Sequence, residues 1–369
     1  MQARVSMVGG PSALEGREPA DEGGGMRQGL LRTGLGTMVA LLALVGCSLS
    51  PAPERADNGH DGAIAPAASR PTLSVGQPAW VTVSVATLWR SPSSPRQADA
   101  PALAHPARIG QWLAGMTVAQ RRALSGRADT QALLGDRVRV VQLREGWARV
   151  VVPSQPSPLD ARGYPGWVPR RQLTASRPAA SATRATVVNR TAWLLTDQST
   201  PSRLFRISFG TRLPVVGLPQ GFVRVVTPEG TVRRLARSAV VVHEAGQPAR
   251  PPSRSSLVST AEVFLGLPYL WAGASGFGVD CSGLTWLVYR VHGITIPRDA
   301  SAQARHGSAV SVLRRGDLRF YARDGRVHHV SMYVAPGTMI HAPGTGERVQ
   351  EVPTSTLSRE YVGARRYWP

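Results

Sequence analysis

The sequence predicts two small all-β barrels followed by an α+β domain, and three observations carry that prediction. Between 75 and 243 the chain alternates short apolar runs with Pro and Gly, the pattern of half-buried strands joined by turns. A segment rich in Pro, Arg and Ser interrupts it at 244–256. Beyond that, helical spacing comes first and strand-like runs come after. The length of 369 residues agrees with two or three domains, at a prior of roughly 150 residues each.

The N-terminal 47 residues stand apart from these domains. Residues 1–25 place acidic and Gly-rich sequence ahead of a basic stretch, so translation is expected to start at Met26. Residues 26–47 read MRQGLLRTGLGTMVALLALVGC, with Arg27 and Arg32 before an apolar run from Met38 to Val45 that is too short to span a bilayer. That is the pattern of a secretory signal. It closes on Leu44-Val45-Gly46-Cys47, which resembles the lipobox of bacterial lipoproteins. The resemblance implies acylation of Cys47, cleavage before it, and attachment to a membrane through the lipid. The alternative is an ordinary signal peptide discarded together with its Cys. Residues 48–72 are rich in Ala, Pro, Ser, Asp and Gly and hold almost no large apolar side chains, as a tether would.

Cys47 and Cys281 are the only cysteines. With Cys47 lipidated, no disulfide is available even in an oxidising compartment, and Cys281 remains a free thiol. The net charge of +20 comes from Arg alone, because the chain contains no Lys. A GC-rich genome gives the same usage, whereas a basic surface would favour anionic neighbours such as lipid head groups or wall polymers. Nucleic acid is not an expected partner behind a signal peptide, and no nucleic-acid-binding motif occurs.

The first β unit spans 73–178, with WVTVSV, DRVRVVQL and WARVVVP as strands and QWLAGMTVAQRRAL as a helical insertion. The second spans 183–243, with ATVVNRTAWLL, TRLPVVGL, GFVRVVTPEG and TVRRL, and could be a weak repeat of the first. Residues 244–256, EAGQPARPPSRSS, have the content of an exposed linker. The third domain, 257–369, opens on a helix that Gly266 and Pro268 stop.

The chemistry concentrates in that third domain. In GVDCSGLTWLVYRVHG, Asp280 suits an N-cap, and Leu284, Leu287, Val288 and Val291 recur at helical spacing. Cys281 therefore falls on the first turn, where the helix dipole and a neighbouring imidazole lower a thiol pKa and favour the nucleophilic thiolate. A lone Cys on an apolar helix is ordinarily an inert core residue, so the remaining residues decide. VHHVSMYV and GTMIHA read as neighbouring strands that bring His329 and His341 side by side, one as base and the other as its orienter. His328 and His329 point to opposite faces of their strand, and His329 is the choice for the face of Cys281. No HExxH motif occurs and the available thiol sits at a helix start, so neither a metal nor another cofactor is expected.

PYLWAGASGFGVDCSGL, RRGDLRFY, HHVSMYV and MIHAP, in this order, resemble the NlpC-type papain-like endopeptidases over residues 255–369. The resemblance implies an α+β papain-like catalytic domain with Cys281 as nucleophile, His329 as general base and His341 as its orienter. It also implies that Asp280 and Ser282 help hold a substrate's free amine and line the site, and that Tyr269 lies near the oxyanion.

The earlier segments VSVATLWRSP, MTVAQRRAL, TQALLGDRV and GYPGWVPRRQL resemble the bacterial SH3-like modules found ahead of such a peptidase in γ-D-glutamyl-L-diamino acid endopeptidases. In that group the first module walls off one end of the cleft with a Tyr and an acidic residue, so that only stem peptides with a free N-terminal L-Ala fit. Tyr164 matches the Tyr, and Asp129, ahead of Asp136, is taken for the acid. The function so implied is hydrolysis of the γ-D-glutamyl to diamino acid bond of peptidoglycan stem peptides. The alternatives are an endopeptidase acting on intact, cross-linked peptidoglycan and a wall-binding lipoprotein without catalysis.

Overall fold

The computed structural model describes residues 72–369. The signal segment, Cys47 and the tether up to residue 71 lie outside the described residues. No helix among the described residues is long and apolar enough to cross a membrane.

The first unit is a seven-stranded antiparallel sheet. Its strands are β1 (Pro78–Val81), β2 (Val85–Trp89), β3 (Ala128–Leu133), β4 (Arg137–Arg144), β5 (Trp147–Val152), β6 (Tyr164–Pro169) and β7 (Leu173–Thr174). They run in the order β3-β2-β6-β5-β4-β1-β7. Between β2 and β3 lie three short helices, α1 (Ala100–Leu103), α2 (Ile109–Gly115) and α3 (Val118–Arg122). The helical insertion is thus broken at Thr117, whose hydroxyl accepts from Gln120 N at 3.2 Å while its own N–H donates to Gln120 Oε1 at 2.8 Å. This capping box starts a new helix where one continuous run was expected.

The second unit repeats the architecture. Strands β8 (Thr183–Val187), β9 (Thr191–Thr196), β10 (Arg203–Ser208), β11 (Arg212–Gly217), β12 (Phe222–Val226), β13 (Val232–Ala236) and β14 (Val240–Glu244) pair in the order β10-β9-β13-β12-β11-β8-β14. The stretch read as a linker at 244–256 is shorter than its composition suggested. Glu244 still pairs with Thr183 in the sheet, and Arg254 already begins helix α4 (Arg254–Glu262). Ser253 caps that helix, its hydroxyl accepting from Ser256 N at 3.0 Å, so the serines counted as linker are an N-terminal cap.

The third unit follows. A two-stranded ribbon, β15 (Ala274–Ser275) and β16 (Gly278–Val279), leads into helices α5 (Cys281–Val291) and α6 (Ala300–Gln303). The sheet that follows holds β17 (Ser308–Val310), β18 (Leu318–Arg323), β19 (Arg326–Ala335), β20 (Thr338–His341), β21 (Gln350–Pro353) and β22 (Tyr361–Arg366). Its order is β17-β22-β18-β19-β20-β21. Residues Cys281 to Tyr289 of α5 are all buried, because the helix is enclosed between this sheet and its neighbours.

The apolar core of the first unit continues without a break into that of the third, whereas the second unit keeps a core of its own. Polar bonds cross the same junction. Trp271 Nε1 donates to the carbonyl of Ala128 at 3.1 Å, and Trp286 Nε1 to that of Ser154 at 3.2 Å. The second unit meets the third at Gly276, where an added Cβ would lie 1.7 Å from the carbonyl oxygen of Arg190, so backbone packs on backbone and only glycine fits. The first unit is therefore held as one wall of the third, and that places it at the site.

Candidate active site

Asp280 stands at the N-cap of α5 and accepts from Gly283 N at 2.7 Å, which fixes Cys281 as the first helical residue. Cys281 is 7% exposed, and the backbone N–H groups of Val330 and Ser282 bear on its sulfur. Those donors and Arg298 favour the thiolate, as the position on the helix led us to expect. Burial and the charge of Asp280 outweigh them and push the thiol up to about 12. The resting nucleophile is therefore protonated.

His329 and His341 meet as the strand pattern predicted, on adjacent antiparallel strands β19 and β20. The Nε2 of His329 lies 2.9 Å from Nδ1 of His341, with the rings edge to face. This bond leaves Nδ1 of His329 for the cleft. A basic Nδ1 there requires that Nε2–H donate to His341, which in turn puts the proton of His341 on its Nε2. That Nε2 is buried and has no partner among the described residues. Burial, with His341 and His328 beside it, holds His329 down to about 3, and burial holds His341 to about 4. His328, expected on the opposite face of its strand, lines the same cavity as His329, because the ladder between β18 and β19 shifts register beside it, and it bonds Glu360 at 3.1 Å. Burial penalises each lone charge in this pair, yet passing the proton from sulfur to imidazole leaves the net charge of the cleft unchanged.

The charge of Asp280 is paired inside the protein. Arg298, wholly buried, donates to its Oδ1 at 3.0 Å and to its Oδ2 at 2.8 Å. The same guanidinium reaches Ser282 Oγ at 3.0 Å, the carbonyl of Gly273 at 3.2 Å and, from the first unit, Thr130 Oγ1 at 2.8 Å. Asp280, for which an amine-holding role was expected, also serves here as cap and counter-ion. Ser282 joins the same network, donating to Asp280 Oδ1 at 3.2 Å.

A further carboxylate that faces the cleft is Asp299, next along the chain after Arg298. Tyr164 Oη donates to its Oδ1 at 3.3 Å, and burial raises its pKa. The reading of the sequence passed over both Arg298 and Asp299. The available signal was the charged pair beside Pro297, just before a short helix in the domain that carries the Cys.

One cavity of about 1200 Å³ gathers these groups. Cys281, His329, His341, Tyr269, Asp280, Ser282, Tyr164 and Asp129 all line it. Asp129 is ion-paired with Arg90 at 2.9 Å, whereas Asp136, the other acid weighed for this role, lies elsewhere and pairs with Arg290. The first unit supplies Arg90, Asp129, Tyr164 and Trp167 along one side, and Arg323, His328 and Glu360 of the third unit also line the cavity. No cluster of three or more His, Cys, Asp or Glu side chains poised for a metal ion occurs among the described residues.

This arrangement has known counterparts. The γ-D-glutamyl-L-lysine dipeptidyl-peptidase of Bacillus cereus is 41% identical over 303 residues, covering 79% of this chain and 91% of that protein. The sequence model of the NlpC/P60 family matches residues 266–366. The chain belongs to the NlpC/P60 family. The Bacillus subtilis γ-D-glutamyl-L-lysine dipeptidyl-peptidase is 37% identical, covering 78% of this chain and 97% of that one. A crystal structure of an NlpC/P60 family protein from Bacillus cereus superposes with a TM-score of 0.75 at 39% identity, over 79% of this chain and all of the other. The two β units match models of their own, a bacterial dipeptidyl-peptidase Sh3 domain at 121–173 and a YKFC SH3b2 domain at 187–243. By contrast, the murein DD-endopeptidase MepH of Escherichia coli is 39% identical over 112 residues only, 28% of this chain.

The raised thiol of this NlpC/P60 site makes a kinetic prediction. Alkylation of Cys281 by iodoacetamide, followed by peptide mass spectrometry, will quicken about tenfold per pH unit from pH 7 to pH 9, because the thiolate fraction rises throughout that range. A rate that levels off below pH 8 would show a preformed thiolate and contradict this account of the site.

Proposed function

We propose that this chain is a cysteine peptidase that cuts the γ-D-glutamyl to diamino acid bond of peptidoglycan stem peptides whose N-terminal L-Ala is free. The observation that carries the reading is the closed end of the cleft, where Tyr164, Asp129 and Asp299 place two carboxylates and a phenol within one cavity with Cys281. An ammonium group held there makes charge-assisted hydrogen bonds. A stem still joined to glycan offers a neutral amide and a bulky extension at the same point, so the wall excludes it. The relatives that share all three units with this chain carry the name γ-D-glutamyl-L-lysine dipeptidyl-peptidase, which supports the same reading.

The chemistry follows from the pair described above. As the Cys281 sulfur attacks the γ-carbonyl carbon of D-Glu, its proton passes to Nδ1 of His329, which Nε2–H holds against His341. Backbone N–H groups at the start of α5 and the hydroxyl of Tyr269 receive the oxyanion. The imidazolium then protonates the leaving amine of the diamino acid. Water, deprotonated by the same ring, hydrolyses the thioester and releases L-Ala-D-Glu.

Mass spectrometry of L-Ala-γ-D-Glu-L-Lys, of its meso-diaminopimelate analogue and of intact sacculi tests this. The free peptides yield L-Ala-D-Glu, N-acetylation of the L-Ala lowers kcat/KM by about a hundredfold or more, and Cys281→Ala abolishes cleavage. Release of peptides from sacculi at a rate matching the free tripeptide would point to the wall endopeptidase instead. Inactivity on every substrate would favour a wall-binding lipoprotein.

The lipobox-like segment supports export and attachment through an acylated Cys47. Cell fractionation checks this, with Cys47→Ser expected to move the protein from the membrane to the soluble fraction. An unchanged distribution would remove the anchor from the account.

A further inference from the structure

A second cavity, of about 640 Å³, lies where both β units meet the C-terminal end of α5. Five arginines line it: Arg137 from β4, Arg177 from the connector between the β units, Arg184 and Arg212 from β8 and β11, and Arg290 from α5. The only carboxylate in its wall is Asp136. That carboxylate is already occupied, with one oxygen accepting from Arg290 and the other from Leu133 N at 3.0 Å. Four guanidinium groups are thus left with no carboxylate partner among the described residues.

Arg212 is the most constrained of the four. Its Nη2 donates to the main-chain carbonyl of Arg290, which holds the two cations side by side, and its Nε is buried without a partner. Burial and the charge of Arg290 hold its pKa to about 10, against the opposing charge of Asp136. Arginine enrichment driven by genome composition would scatter such side chains over open surface. Here they converge from four segments on one concave space of the size that small ligands occupy, with Arg184 and Arg212 half-buried and Arg137 and Arg177 exposed.

We propose that this cavity binds a phosphate-type oxyanion. A phosphate group offers several acceptor oxygens to forked guanidinium donors and carries up to two negative charges, whereas a single carboxylate would neutralise one of the four. Its oxygens would satisfy Arg212 Nε and offset the repulsion between Arg212 and Arg290. Because the donors come from both β units and from the helix whose first residue is Cys281, an occupied site would tie the three units together. The phosphate could belong to a free anion or to a phospholipid head group. Nothing in this assignment depends on the peptidase reading.

Titration calorimetry and thermal unfolding of the full chain with sodium pyrophosphate, against sodium chloride at matched ionic strength, test the proposal. The expected result is saturable binding with Kd below about 1 mM and a rise in Tm that chloride does not reproduce. Arg184→Gln and Arg212→Gln are each expected to weaken it about tenfold or more. Arg184 makes no side-chain hydrogen bond, so a Tm in chloride equal to wild type certifies that this variant is folded. Sedimentation with phosphatidylglycerol vesicles distinguishes the sources. Arg184-dependent vesicle binding assigns a lipid head group, and pyrophosphate binding without it assigns a free anion. Unsaturable binding, affinity in both variants equal to that of the wild type, or an equal effect of chloride would overturn the proposal.

Discussion

The contact on which the rest of the site depends is the buried pair between Arg298 and Asp280. Two opposite charges withdrawn from water are tolerated only when their remaining hydrogen-bonding capacity is also met. Here the guanidinium gives bonds to both oxygens of Asp280, to Ser282, to the Gly273 carbonyl and to Thr130. Thr130 in turn donates to Gln155 Oε1 at 2.7 Å, so the network continues into the first β unit. Arg298 thereby holds the cap of the nucleophile helix, neutralises the charge beside Cys281 and fastens the wall of the cleft. The electrostatics of the thiol follow from the same contact, with Asp280 raising its pKa and Arg298 lowering it.

The shape of the cleft in this arrangement is a property of domain docking. A peptidase unit alone would present an open groove along α5 and β19. The first β unit, sharing its core with the third, closes that groove with Tyr164 and Asp129 and brings Asp299 into a hydrogen bond.

Local pattern made much of this legible. Alternation every second residue marked both β units, and 3.6-residue spacing after Asp280 marked the helix that begins with Cys281. Strand alternation did not separate His328 from His329: the ladder shifts register beside them and both line the cavity, His329 bonded to His341 and His328 to Glu360. Long-range pairing was not legible. Arg298 and Thr130 are 168 residues apart, so nothing in the local sequence shows that one guanidinium holds both Thr130 and Asp280. For the same reason the contact between Asp299 and Tyr164, 135 residues apart, was not legible. The burial that raises the thiol was not legible either, because helix position can be read from sequence while depth of burial cannot. The serines at 253–256 looked like linker because capping residues and linker residues have the same composition.

The central claim is that Arg298 joins the nucleophile helix to the wall of the cleft, and the variant Arg298→Met tests it most directly. Urea unfolding and the kcat/KM for L-Ala-γ-D-Glu-L-Lys would be measured together. Loss of one partner from a buried pair should lower stability by about 3–5 kcal/mol. The account predicts that kcat/KM falls by about a hundredfold at temperatures where the variant is still folded, as the wall and the Cys281 environment loosen together. Stability and kcat/KM both within about twofold of wild type would contradict it.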